Sequence, residues 1–198
     1  MQIGVLALQG DFAEHISMLK RLDVQAIEVR LPEHLAGLDG LIIPGGESTT
    51  MGKLALAYQL LEPLCEFGQS RAIWGTCAGA ILLSKDAQRQ QPLLGLMDIE
   101  VQRNAFGRQV DSFEADLEIP VLSQVDPSGE PYHAIFIRAP RIQAVHAPAQ
   151  VLASLADGSI VAVQQGRLLA TSFHPELTGD ERFHKYFLTL ADYERTTV

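Results

Sequence analysis

Two cysteines and six histidines are the side chains of this chain best suited to nucleophilic chemistry near neutral pH. Cys77 stands in Gly75-Thr76-Cys77-Ala78-Gly79, between the apolar run Ala72-Ile73-Trp74 and the apolar residues Ala80-Ile81-Leu82-Leu83. That is the Gly-x-nucleophile-x-Gly spacing of a sharp strand-to-helix turn. The turn forces its middle residue into a strained backbone conformation and leaves no room for side chains on either side. It lifts the sulfur above the end of a sheet and sets it at a helix N-terminus, where the dipole favours thiolate. Taken alone, Cys77 reads equally as a small buried apolar residue.

A thiol nucleophile needs a base, and the base needs an orienting group. His15, His34 and His184 fall in predicted helices among charged residues, so solvent exposure is expected for each. His133 and His146 lie in or beside strands with no acid two or three residues further on. His174 differs: it follows an apolar strand, Pro175 stops the chain, and Glu176 lies two residues on. Glu176 can fold back onto one ring nitrogen while the other faces the thiol. By itself this is also the pattern of a strand-end histidine capping local backbone. An elbow cysteine and a His-x-Glu together in one α/β chain are far more specific.

Acyl transfer by such a triad requires an oxyanion hole. In elbow enzymes one donor is the N–H after the nucleophile, here Ala78. The glycines of Pro44-Gly45-Gly46 suit the second, because glycine lets backbone approach a ligand closely. The same tripeptide reads as an ordinary strand-to-helix turn with Ser48 or Thr49 as N-cap, and both roles are compatible. Arg103, in a loop, and Arg138, at a strand end, read either as surface charges or as partners for a substrate carboxylate.

The elements that must position these residues follow from the apolar spacing. Continuous apolar runs predict buried strands over 3–8, 41–43 and the stretch entering the elbow, and the alternation of Ile27 and Val29 predicts another over 26–29. Helical spacing predicts a helix over 12–22, with Ile16, Leu19 and Leu22 near one face, and a short, partly helical connection over 32–38. A further helix opens at Glu47-Ser48-Thr49-Thr50, and a longer pattern runs through Leu56, Leu60, Leu61, Leu64 and Phe67. Alternating strands and helices predict parallel strands with helices on both faces, and a site at the strands' carboxyl ends. Gln9-Gly10, the 44–47 loop and the elbow should therefore meet on one rim. From residue 93 the period becomes two, which predicts an antiparallel addition through about Pro140. Strands over 151–155, 160–163 and 168–173 follow, joined by Asp157-Gly158 and Gln165-Gly166 hairpin turns, and a helix over 181–193 closes the chain.

Composition narrows the function. The 198 residues carry 15 basic and 24 acidic side chains, a net charge of −9, with no basic cluster, which argues against a nucleic-acid partner. Two cysteines do not make a disulfide framework, no stretch is apolar enough to span a bilayer, and the first residues read as a strand rather than a signal peptide. A reduced, cytoplasmic, soluble protein is expected. No dinucleotide or Walker loop is present, and the Cys and His spacings do not make a metal cluster.

Six segments carry a resemblance: Ile3-Gly4-Val5-Leu6-Ala7-Leu8-Gln9-Gly10, Pro44-Gly45-Gly46-Glu47-Ser48-Thr49, Gly75-Thr76-Cys77-Ala78-Gly79, Arg103-Asn104-Ala105-Phe106-Gly107-Arg108-Gln109, Phe136-Ile137-Arg138-Ala139-Pro140 and Phe173-His174-Pro175-Glu176-Leu177. Spread over most of the chain, they resemble the class I, or triad, glutamine amidotransferases, and among these the glutaminase subunits of pyridoxal 5'-phosphate synthases. The elbow and His-x-Glu specify the class; the other segments specify the subunit. The resemblance implies a single glutaminase domain over 1–198, a flavodoxin-like three-layer α/β sandwich with a mixed, mostly parallel sheet and an antiparallel addition. It implies hydrolysis of L-glutamine to L-glutamate and ammonia, with Cys77 attacking, His174 moving the proton and Glu176 orienting His174. Gly46, Glu47, Ser48, Arg103, Ile137 and Arg138 carry over as glutamine-binding positions, with Gly46 and Ala78 at the oxyanion hole. The implied partner is a TIM-barrel synthase subunit in a large hetero-oligomer. It builds pyridoxal 5'-phosphate from ribose 5-phosphate, glyceraldehyde 3-phosphate and the ammonia. The glutaminase itself needs no metal or cofactor. The same triad would serve a stand-alone γ-glutamyl thiol hydrolase, or the glutaminase of another amidotransferase.

Overall fold

The computed structural model describes residues 1–103 and 112–192. The expected 104–109 motif and the end of the closing helix at Tyr193 lie outside the described residues. In chain order the elements are β1 (Gln2–Leu6), α1 (Phe12–Arg21), β2 (Gln25–Val29), β3 (Gly40–Ile43), α2 (Ser48–Ala57), α3 (Leu61–Ser70), β4 (Ala72–Thr76) and α4 (Ala78–Leu83). They continue as β5 (Ser84–Asp86), β6 (Met97–Gln102), β7 (Ser112–Leu117), β8 (Tyr132–Ile137), β9 (Arg141–Val145), β10 (Gln150–Ser154), β11 (Ile160–Gln165), β12 (Leu168–Thr171) and α5 (Arg182–Ala191).

The main sheet runs β2-β1-β3-β4-β12-β11-β9-β6-β5, with β10 paired to β11. From β2 to β12 the pairings are parallel; β11 is antiparallel to β12, β10 and β9, and β9 to β6. In register, Val5 faces Ile42, Ile42 faces Trp74 and Trp74 faces Leu169. Because side chains alternate along a strand, this row points to one face and its neighbours to the other. Leu41, Ile43 and Ile73 pack with Ala55, Leu60, Leu64, Ala80 and Leu83 under α2, α3 and α4. Ile42 and Trp74 pack with Leu19, Phe183 and Phe187 under α1 and α5, where Tyr132 and Phe136 of β8 join them. Each buried side has its own layer, so the sheet is covered on both faces as a parallel sheet requires.

Three expectations change. The pattern through Leu56 to Phe67 is not one helix: Gln59 takes φ +56 and separates α2 from α3. The break turns Leu60 and Leu64 into the core and leaves Leu56 60% exposed. The antiparallel addition divides in two, since β6 joins the main sheet through β9 while β7 and β8 form a separate two-stranded sheet. The α2 N-cap is Glu47, not Ser48 or Thr49; its carboxylate accepts from the Thr49 and Thr50 N–H groups. Strands β5 and β9 were not expected. One is a three-residue polar segment and the other is partly solvent-facing, so neither has a strong apolar signature.

Candidate active site

The elbow forms as its spacing demands. Cys77 takes φ +48 and ψ −105 between β4 and α4, a backbone region unfavourable for a side-chain-bearing residue. Surroundings hold it there: Cys77 N–H donates to the Thr171 carbonyl at 2.8 Å, and the Cys77 carbonyl accepts from Ala80 N–H at 3.1 Å. A Cβ on Gly79 would lie 2.1 Å from the Ile43 carbonyl oxygen, so only glycine lets α4 start so close to β3. The residue is left 7% exposed, its sulfur 4.0 Å from the Ile137 carbonyl oxygen.

His174 arrives from the end of the neighbouring β12. Its N–H donates to the Ile135 carbonyl at 2.9 Å, tying the segment to β8, and Pro175-Glu176-Leu177 makes a 3-10 turn that folds Glu176 back. The result is a 2.7 Å contact between His174 Nδ1 and Glu176 Oε1. Nε2, on the other side of the ring, is buried without a formed hydrogen bond. Burial by itself would lower the His174 pKa, but interaction with Cys77 and Glu176 outweighs it and lifts the value to about 10. Burial pushes the Glu176 carboxyl up, and His174 opposes that shift.

The third rim segment closes the site. A Cβ on Gly45 would sit 2.5 Å from His174 Cε1, so the loop lies directly against the ring. It is pinned from the β1 side: Asp11 N–H donates to the Gly45 carbonyl at 3.1 Å, and Glu47 N–H donates to Gln9 Oε1 at 2.7 Å. Glu47 also accepts from Arg103 Nη1 at 2.5 Å. Burial would raise the Glu47 pKa, but hydrogen bonds from Thr50 and Thr49 together with Arg103 hold it at about 2. These segments enclose a cavity of about 360 Å³. Cys77, His174 and Ala78 line it, and so do all six expected glutamine-binding positions, Gly46, Glu47, Ser48, Arg103, Ile137 and Arg138. Arg138, in the lining, takes φ +44, so the cavity has two non-glycine residues at positive φ, Cys77 and Arg138. Its size is at the small end of ligand sites, about 300–1,000 Å³. Asp11, His174 and Glu176 bring three ligand-type atoms within 4.8 Å, but His174 Nδ1 and Glu176 Oε1 are already paired with each other.

Residues 5–192 match the SNO glutamine amidotransferase family. The chain belongs to the SNO glutamine amidotransferase family. It is 57% identical over 195 residues to the pyridoxal 5'-phosphate synthase subunit PdxT of Herpetosiphon aurantiacus, covering 96% of this chain and 100% of the relative. It is 57% identical over 192 residues to the PdxT of Moorella thermoacetica, at 96% and 99% coverage. A crystal structure of a glutamine amidotransferase superposes with a TM-score of 0.88 at 52% identity, covering 96% of this chain and 98% of that one. PurLQS from Thermotoga maritima shares the fold, with a TM-score of 0.73 at 15% identity over 95% of this chain and 97% of that one. The sandwich is therefore the class I glutamine amidotransferase fold.

Two histidine expectations fail for this family member. His15 and His184 are not solvent-exposed; both are completely buried, against Trp74 and each other. Helical periodicity placed Ile16, Leu19 and Leu22 near one face of α1; Leu19 is buried and Ile16 packs partly buried against the same core, but His15 and Met18 complete the buried set. His133 pairs with Asp116 and Glu114 across β7 and β8, and His146 pairs with Glu100, each exposed and remote from the cavity lining. Gln9 was expected on this rim but was given no role, and Asp11 was not expected there. Gln9 holds the Gly46-Glu47 segment and Asp11 Oδ2 lies 3.6 Å from His174 Nδ1. Their only sequence signal was the Gln9-Gly10 turn at a parallel strand's carboxyl end. No helix among the described residues is long and apolar enough to cross a membrane.

Proposed function

We propose that this family member is the glutaminase of a pyridoxal 5'-phosphate synthase, with Cys77, His174 and Glu176 as its triad. The observation that carries the reading is the cavity lined by both an elbow cysteine and an imidazole that is itself paired to a buried carboxylate. The relatives' names supply the physiological context.

The Cys77 sulfur, as thiolate opposite the His174 imidazolium, attacks the side-chain amide carbon of glutamine. The N–H groups of Gly46 and Ala78 receive the developing oxyanion; removing one such donor typically costs about 10²–10³ in turnover. His174 Nε2 passes its proton to the amide nitrogen, the C–N bond breaks, and ammonia leaves. The γ-glutamyl thioester is then cleaved by water, whose proton returns to His174 as the sulfur leaves as thiolate. Glu176 keeps the imidazole aimed throughout. Glu47 and Arg103 present one anionic and one cationic group at the cavity wall, complementary to an α-ammonium and an α-carboxylate. Ser48, Ile137 and Arg138 complete the glutamine contacts. Ammonia passes to a TIM-barrel synthase subunit that uses ribose 5-phosphate and glyceraldehyde 3-phosphate.

The test uses this chain reconstituted with the synthase subunit. Cys77→Ala should abolish glutamine-driven synthesis and glutamate release while leaving ammonium-driven synthesis intact. Loss of ammonium-driven synthesis, or glutamate release without Cys77, would overturn the reading.

A further inference from the structure

Glu176 has two oxygens, and only one faces His174. Oε1 takes the 2.7 Å contact with Nδ1; Oε2 is buried and lacks a formed hydrogen bond. A bare carboxylate oxygen in a dry interior is costly, so whatever lies beside it matters. That neighbour is His15 Nε2 of α1, 3.3 Å away, and the same nitrogen lies 3.3 Å from Thr76 Oγ1 at the end of β4. On its far side, His15 Nδ1 lies 3.0 Å from His184 Nε2 of α5. His184 Nδ1 is buried with no hydrogen-bond partner.

We propose that His15 is a positioning residue for the triad: as a neutral Nε2–H tautomer lodged between Glu176 Oε2 and Thr76 Oγ1, it fixes the carboxylate that aims His174. The inference rests on the reading of Cys77, His174 and Glu176 given above and deepens it.

The tautomer follows from counting protons. In one arrangement His184 Nε2–H donates to His15 Nδ1, so His15 turns its own N–H toward Glu176 and Thr76, and His184 is left with a bare lone pair. In the other, His15 Nδ1–H donates to His184. His15 then sets a lone pair against a carboxylate oxygen, and His184 buries an N–H with no acceptor. The second arrangement contains a repulsion and an orphaned donor, so the first prevails. Burial keeps both rings neutral, His15 well below its ordinary pKa and His184 at about 3. Neutrality suits the role, because a charged His15 would compete with His174 for the charge of Glu176. Trp74 walls the pair edge-on, with ring centroids 5.7 Å from His15 and 4.9 Å from His184. The histidine thus links three separate elements at the triad: α1, the end of the cysteine's strand, and the His-x-Glu turn.

The experiment measures glutamine hydrolysis by the full chain with its synthase subunit, for His15→Leu, His15→Gln, Cys77→Ala and the parent. Glutamine can place an amide N–H near the Nε2 position; leucine fills the volume without a donor. His15→Leu should lower kcat about tenfold or more with KM little changed, and His15→Gln should recover most of the loss. Parental kcat in His15→Leu, or equal losses in both variants, overturns the inference while leaving the triad reading intact. Parental activity in Cys77→Ala overturns the triad reading and this inference with it. Long-range proton–nitrogen NMR spectra of the unaltered chain decide independently of any variant's folding. His15 must carry its proton on Nε2 from pH 6 to 8, and a proton on Nδ1 overturns the inference.

Discussion

His174 sits between a sulfur and a carboxylate that both favour its charged form, and its stability signature has a definite sign. Its folded pKa, about 10, lies above the ordinary 6.5. Below pH 6.5 folded and unfolded chains both hold the proton, so the stabilisation is complete. Between 6.5 and 10 the unfolded chain releases it and the folded chain does not, so stability falls as pH rises, and above 10 the contribution is gone. Urea midpoints measured from pH 6 to 10 should decline along this limb. Glu176→Gln should flatten the decline, because one of the two groups raising the pKa is removed. The same variant should lower kcat by a factor on the order of 10³–10⁴, since a misheld imidazole presents the wrong tautomer or angle to the sulfur. An unchanged alkaline limb together with an unchanged kcat would remove Glu176 from this role.

At the scale of elements, the site depends on three backbone turns approaching one another more closely than side chains allow. The elbow glycine Gly79 abuts the last residue of β3, and the Gly45 loop abuts the imidazole. Gly79→Ala brings a Cβ to 2.1 Å from backbone that cannot rotate away, so α4 must shift and carry Cys77 with it. The expected cost is about 1–3 kcal/mol or more in urea unfolding, with glutamine turnover lost even in the fraction that folds. Gly166→Ala is the contrast: nothing lies within 4 Å of its added Cβ, and φ +58 alone opposes it. That substitution should cost about 1 kcal/mol and leave turnover unchanged. If the two variants lose turnover equally, close approach at the elbow is not what places the sulfur.

For the whole molecule, the aromatic layer over Trp74 joins the catalytic rim to the closing helix. Phe187 and Phe183 of α5 lie 5.7 and 6.0 Å from the Trp74 ring, and Phe183 meets Phe173, the residue before His174, at 5.2 Å. Phe187→Ala should therefore cost about 3–5 kcal/mol. The emission of Trp74, the one tryptophan of the chain, reports the unfolding directly. A midpoint within error of the parent would mean that α5 contributes little to holding this face. What could be read from the residues alone was whatever is local or periodic. The elbow, the His-x-Glu turn and the glycine loop are short-range patterns with steric causes, and buried parallel strands leave continuous apolar runs. Six glutamine positions were read by likeness to a family, and all six line one cavity. Tertiary structure alone decided where polar side chains on amphipathic helices went. Nothing in the local spacing of His15 or His184 distinguishes an outward ring from one that meets its partner 169 residues away. The split of α2 from α3 and the joining of β6 to β9 were decided the same way. Each depends on which distant surface is available to bury against, and a one-dimensional pattern records only that a face is apolar, not what will cover it.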